Sequence, residues 1–155
     1  MGHVKRSVRV DAPVDVCWAI GVDPARWPEF LEGAVGMRDA SGMAGQVGHT
    51  FTVPYRIAGR ELEVQWRITR IDPPRMIELT GTTQRGGHAL TTERYEPVAG
   101  GTDVEVELDY ELPGGFAGDV ADRLFIERAM ERQIRHSNEN FKALVEAIAR
   151  RPEKR

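Results

Sequence analysis

The chain has 155 residues, 41% of them hydrophobic and 29% charged, with a formal net charge of −3. That balance belongs to a globular chain with a core of its own, and its sign disfavours a nucleic-acid backbone as partner. No run approaches the roughly 20 apolar residues of a stable membrane span. Residues 1–11 are too polar for a signal peptide, and the lone Cys17 excludes an internal disulfide; both fit a cytoplasmic protein.

Residues 4–10 alternate weakly and carry β-branched side chains, which predicts a first strand. Asp11-Ala12-Pro13 ends it. Pro13 suits the first turn of a short helix whose apolar face is Val14, Trp18 and Ile20, and Gly21 stops that helix. Asp23 caps a second short helix, with Pro24 in its first turn, that runs through Trp27-Pro28-Glu29-Phe30. From Leu31 onward the period becomes two. A strand is expected at 34–38, a glycine-rich turn at 40–45, and a hairpin of 47–57 with 60–71 around Ala58-Gly59. This register sets Arg56 opposite Glu61 and gathers His49, Phe51, Tyr55, Val64 and Trp66 on one face, leaving Thr52, Glu63 and Gln65 on the other. Asp72-Pro73-Pro74 forces a turn before a strand at 76–81. A polar tip at 82–87 leads to a final hairpin of 89–96 and 102–112. In its last strand Val104, Val106, Leu108 and Tyr110 alternate with Asp103, Glu105, Glu107 and Asp109, so one face is buried and the other wet.

Residues 116–149 contain no proline and one glycine, and apolar residues from Phe116, Val120 and Leu124 to Val145 and Ile148 recur at three- and four-residue spacing. Such a helix is roughly 50 Å long at 1.5 Å per residue and needs a cover for its apolar side. The fold class that follows is α+β, a helix-grip. A curved antiparallel sheet of about seven strands surrounds one long C-terminal helix, and two short helices follow the first strand. The whole chain, 1–155, is expected to be one domain with a solvated tail from about 150.

The register of the last hairpin decides which residues point inward. With 98–101 as a four-residue loop, Tyr95 faces Val104 and Glu93 faces Val106, both inward, while Arg94 lies outside opposite Glu105. A slip of one residue instead turns Arg94 and Thr92 inward. A carboxyl group at Glu93 inside an apolar cavity has its pKa raised by desolvation and is equipped to act as acid or base, or to anchor a polar group. His49 is either a hydrogen-bonded wall residue or a base. The catalytic candidates are therefore His49 and Glu93. Candidates for contact with a ligand are Phe51, Tyr55, Trp66, Tyr95, Tyr110, Met130 and Ile134. Glu127 and Asn138, polar positions within the helical stripe, join them. Arg123, four residues before Glu127, is placed to pair with it. The four histidines have no metal-ligand spacing, no phosphate loop is complete, and no serine has the flanks of a nucleophile elbow, so neither metal nor cofactor is expected.

The order of motifs resembles the START-like (SRPBCC) superfamily. Val8-Arg9-Val10-Asp11-Ala12-Pro13 followed by Trp18 looks like its opening strand, Ala-Pro and helix. Asp23-Pro24-Ala25-Arg26-Trp27-Pro28-Glu29-Phe30 is similar to a segment of its polyketide cyclase/dehydrase-type branch. Gly100-Gly101-Thr102 matches that branch's turn before the last strand, and Asn140-Phe141-Lys142 echoes the end of its final helix. The resemblance implies a cavity between sheet and helix for a hydrophobic or aromatic small molecule, lipid- or polyketide-like. Three functions stay open: binding of such a molecule, polyketide cyclase, aromatase or dehydratase chemistry by cavity acid–base residues, and a protein–protein regulatory module. Phe125, on the side of the helix away from the stripe, points to the last, with a homodimer as one form. A small hydrophobic ligand is the expected partner, without nucleic acid or stable membrane insertion. Enzymatic use of His49 and Glu93 requires that both reach one small volume.

Overall fold

The computed structural model describes residues 2–151. Its strands are β1 (Gly2–Val10), β2 (Arg38–Ser41), β3 (Thr50–Ile57), β4 (Arg60–Asp72), β5 (Met76–Thr82), β6 (His88–Val98) and β7 (Gly101–Glu111). Its helices are α1 (Val14–Gly21) and α2 (Val120–Ala149), with a 3-10 helix at Pro24–Glu29. The seven strands form one antiparallel sheet in the order β1-β7-β6-β5-β4-β3-β2, curved around α2. This is the helix-grip that the alternating strands and the amphipathic helix predict. The tail expected beyond Arg151 lies outside the described residues.

Local chemistry explains the hairpins. Ala58 and Gly59 both take positive φ, 53° and 77°, as a two-residue turn matched to strand twist requires. Arg56 Nη2 then donates to Glu61 Oε1 at 3.1 Å across the strands. The β6–β7 loop is tighter than expected, since Val98 and Gly101 already pair, but the register is the same: Glu93 opposes Val106 and Tyr95 opposes Val104. Gly100 has φ of 80°, a side chain on Gly101 would overlap the Val10 carbonyl, and the buried Thr102 hydroxyl donates to Ala12 O at 2.8 Å. The Gly-Gly-Thr motif thus ties the start of β7 to the turn after β1. Asp23 caps the 3-10 helix by accepting from Ala25 N at 3.1 Å.

Three expectations change. The strand placed at 34–38 is instead Arg38–Ser41, wholly exposed, with Ala34 making a single bridge to Tyr55. It is an edge strand whose pairing is interrupted where Asp39 takes φ of 55°. β3 begins at Thr50, three residues late, because Gly42, Gly45 and Gly48 all take positive φ and keep the preceding segment in turns. α2 begins at Val120, four residues late. Asp119 is its N-cap, accepting from Asp122 N at 2.7 Å, and the residues before it are held as a loop by Arg60. The Arg60 guanidinium donates to both Asp122 oxygens at 3.0 Å and to Phe116 O at 3.1 Å, which holds the Asp122 carboxyl below its usual range.

The helical stripe is narrower than its apolar residues imply. Its buried line runs through Ile126, Ala129, Ser137, Asn138, Phe141 and Val145. At 100° per residue Leu124 stands about 120° from that line's centre, and Val120, Leu124 and Phe125 are exposed at 75%, 48% and 56%. Arg123 is exposed as well, at the uncovered first turn. The other end of α2 is closely packed. Phe141 meets Phe30 edge to face at 5.1 Å, and Asn140 Nδ2 donates to Phe30 O at 3.3 Å. Glu146 Oε2 accepts from Asp11 N at 2.8 Å and from Lys142 Nζ at 2.6 Å, while Lys142 also donates to Arg9 O at 2.8 Å.

Candidate functional site

Between the sheet and the middle of α2 the interior does not fill, leaving a cavity of about 180 Å³. The sequence accounts for the hollow. On α2 the inward positions are Met130, Gln133, Ile134, Ser137 and Asn138, at spacings of three and four residues, and none is aromatic. Opposite them Val106 and Leu108 of β7 and Tyr55 and Leu62 of the β3–β4 hairpin point inward but remain half-buried, because the helix does not reach them. Trp27 and Trp66 meet edge to face at 6.3 Å and form a wall. Trp27 is fixed by its Nε1–H donating to Gly21 O at 3.0 Å. Thr83, His88, Glu111 and Pro113 also border the cavity, and His88 Nε2 stands 3.4 Å from Glu111 Oε2.

Of the polar groups on this lining, three offer a hydrogen bond that no protein group takes up. Glu93 projects from β6, and its Oε2 is buried without a hydrogen-bond partner. Burial raises its pKa to about 8, so at neutral pH it is a protonated, uncharged acid able to donate. Asn138 Nδ2 is also buried without a partner. The Tyr55 hydroxyl oxygen accepts from Trp66 Nε1 at 2.9 Å, which leaves its own hydrogen unassigned to any protein acceptor. Burial pushes its pKa up as well, with the nearby Glu93 adding to the shift, so it stays a donor. Arg94 is outside the sheet, 3.3 Å from both Glu105 and Glu107.

The cavity collects Glu93, Tyr55, Trp66, Tyr110, Met130, Ile134 and Asn138 from the residues singled out in the sequence. Burial raises the Tyr110 hydroxyl to about 12, with Glu127 and Glu131 contributing. Four others lie off the lining. His49 precedes β3, is 4% exposed, places Nδ1 2.9 Å from Ser41 O and packs on Phe51 at 5.3 Å. Phe51 in turn lies behind Trp27, 5.2 Å away edge to face. Glu93 thus lines the cavity and His49 does not; between His49 and the lining residue Trp27 stands the Phe51 ring, in contact with both. Tyr95 is packed on Trp18 at 5.3 Å with its hydroxyl over Gly21, where any side chain would overlap it. Glu127 sits near Tyr110 rather than on the lining, and no ion pair joins it to Arg123 among the described residues.

Trp27, Gln133 and Ser137 were not anticipated at the site. Trp27 belongs to a motif that carried the family resemblance, while Gln133 and Ser137 left the available signal of two polar residues on the inward line. Gln133 Nε2 donates to Arg56 O at 2.8 Å, and the Ser137 hydroxyl donates to Gln133 O at 2.6 Å and accepts from Glu32 N at 2.9 Å. Together they brace α2 against the far side of the cavity. Among the described residues no three His, Cys, Asp or Glu side chains cluster as a metal site, and no helix is long and apolar enough to cross a membrane.

A seven-stranded sheet gripping a long C-terminal helix over an apolar cavity is the START-like fold. Residues 1–146 match the family described as polyketide cyclase / dehydrase and lipid transport, and the chain belongs to that family. It is similar in structure to the Zhui aromatase/cyclase from Streptomyces sp. R1128, with a TM-score of 0.77 and 19% identity, covering 96% of this chain and 95% of that one. A START superfamily protein from Mycobacterium smegmatis gives 0.76 and 14%, covering 96% and 99%. A protein from Thermus thermophilus gives 0.80 and 15%, covering 95% and 99%. At these identities the likeness is one of fold. No functionally curated protein matches the chain.

Proposed function

We propose that the protein binds a hydrophobic, ring-containing small molecule, lipid- or polyketide-like, in the cavity between sheet and α2. The observation that supports this reading most directly is the pairing of an apolar hollow of about 180 Å³ with two buried polar atoms, Glu93 Oε2 and Asn138 Nδ2, that have no partner in the protein. An unsatisfied buried polar atom costs about 1–3 kcal/mol, which a ligand recovers by supplying the missing partner. The volume is comparable to the roughly 150 Å³ cavity that accommodates benzene in another protein. Native mass spectrometry of freshly purified protein is the test: a retained adduct, displaced by an added neutral aromatic such as Nile red, is expected. Absence of any adduct together with absence of Nile red binding would sink the reading.

A second reading, acid–base chemistry on a polyketide-like chain, is favoured by the uncharged Glu93 carboxyl and the Tyr55 hydroxyl on one cavity lining. It has no histidine partner for Glu93 at His49. Under this reading Glu93→Gln stops turnover while ligand affinity holds; turnover that survives the change rules Glu93 out as the acid.

A further inference from the structure

The charges around the cavity are one-sided. Among the described residues that line it there is no lysine and no arginine, whereas Glu32, Glu93 and Glu111 are present. Two of these have histidine neighbours: Glu32 Oε2 lies 3.0 Å from His136 Nδ1, and Glu111 is beside His88. Glu93 has none. Basic residues near the cavity lie outside its lining: Arg94 pairs on the outer face, Arg60 binds Asp122 and the Phe116 carbonyl, and Arg26, whose Nε is 3.8 Å from Glu29 and whose Nη1 is buried without a partner, is not a lining residue. Inside, Glu93 Oε2 and Asn138 Nδ2 are buried without a protein partner, and the Tyr55 hydroxyl hydrogen has no assigned acceptor.

Three ligand charges can be weighed against this lining. A carboxylate or sulfonate entering the cavity gives up its hydration and meets no cation, which is the costly case of an unpaired buried charge. An amine entering in its neutral form can take the proton of Glu93 and pair, as ammonium, with the resulting carboxylate. It then turns its remaining N–H bonds toward Asn138 Nδ2 and the Tyr55 hydroxyl, which are donors too. A neutral acceptor oxygen suits donors of this kind and requires no charge to be buried. Resting on the reading that the cavity holds a ligand, we infer that it selects by charge: it admits an uncharged apolar ring compound carrying a hydrogen-bond acceptor, such as a ketone carbonyl, and excludes anionic amphiphiles.

The test uses naphthalene bearing, in turn, an acetyl, an ethyl, a carboxylate or an aminomethyl group, titrated into the full chain at neutral pH and followed by calorimetry. The acetyl compound is expected to bind about tenfold more tightly than the ethyl compound, as two modest hydrogen bonds provide, and at least about tenfold more tightly than the two charged ones. Glu93→Leu should bring the acetyl compound toward the ethyl level, while Glu93→Gln, which keeps a donor, retains most of the preference. Asn138→Leu repeats the comparison if Glu93→Leu does not fold. Carboxylate or amine binding as tight as acetyl overturns the inference and leaves the cavity reading standing. A preference for acetyl that survives both leucine variants also overturns it. If none of the four compounds binds, the cavity reading falls and the inference falls with it.

Discussion

The two halves of α2 lie against the same sheet yet build opposite interiors. Toward the C-terminus Phe141 and Val145, 5% and 0% exposed, meet Phe30 and the α1 corner, and that end is filled. Before that end, along the middle turns, Met130, Ile134 and Asn138 face Tyr55 and Leu108 across a void. Both halves carry an apolar stripe, so the difference is one of volume. Where rings from helix, corner and sheet interlock, as Phe30 with Phe141 and Trp18 with Tyr95, packing is complete. Where the helix presents slender or polar side chains, the sheet has nothing to close on. Patterning decides which side faces inward; side-chain size decides whether that side is solid.

Unfolding in urea tests this contrast most strongly. Phe141→Ala should lose about 4 kcal/mol, as buried aromatic truncations do. Met130→Ala, already beside empty space, should lose about 1 kcal/mol or less. Equal losses would break the contrast. The next effect is a pH dependence at the hollow end. The Glu93 pKa rises from 4.5 to about 8 on folding, so folding retains a proton there. That contribution is fully present below pH 4.5, declines as pH rises toward about 8, and is level above it. Its size is on the order of a few kcal/mol, read as the difference in urea midpoint between the wild type and Glu93→Gln across this range. A variant with the wild-type pH slope would show that water, rather than an apolar wall, surrounds the carboxyl. The smallest change sharpens the contrast. Asn138→Leu removes a partnerless buried donor and should raise stability by about 1 kcal/mol while weakening ligand binding. A fall in stability would mean that Asn138 is a structural anchor.

Much of the fold was legible because strand pairing is a local rule. The Ala58-Gly59 turn is enough to place Arg56 against Glu61, and the alternation of β7 with the short β6–β7 loop puts Glu93 inside and Arg94 outside. β2 was misplaced because an edge strand with no alternation of its own is defined by its neighbour. The start of α2 was set too early by a run of helix formers, although Asp119 three residues before Asp122 is a readable cap. The site was legible only as a face. His49, Phe51 and Tyr95 do point inward, but whether an inward residue borders the void depends on where α1 and Trp27 close it off, which strand periodicity does not contain.

The pairing of β1 with β7 also sets an order of events for the newborn chain. Strands β2 to β7 are each hydrogen-bonded to the next in sequence, whereas β1 finds its partner only at Gly101–Glu111. At a synthesis rate of about 5–20 residues per second, the roughly ninety residues between them take about 5–20 s to appear. Through that interval Val4 and Val10 have no strand beside them. The clasp of Glu146 and Lys142 on the end of β1 comes later still, since it belongs to the last turns of α2. First strand and long helix therefore lock together only after every strand has been made, and until α2 is down the cavity has no wall. The cavity is therefore among the last features of the fold to form, since one of its walls is the last element to be made.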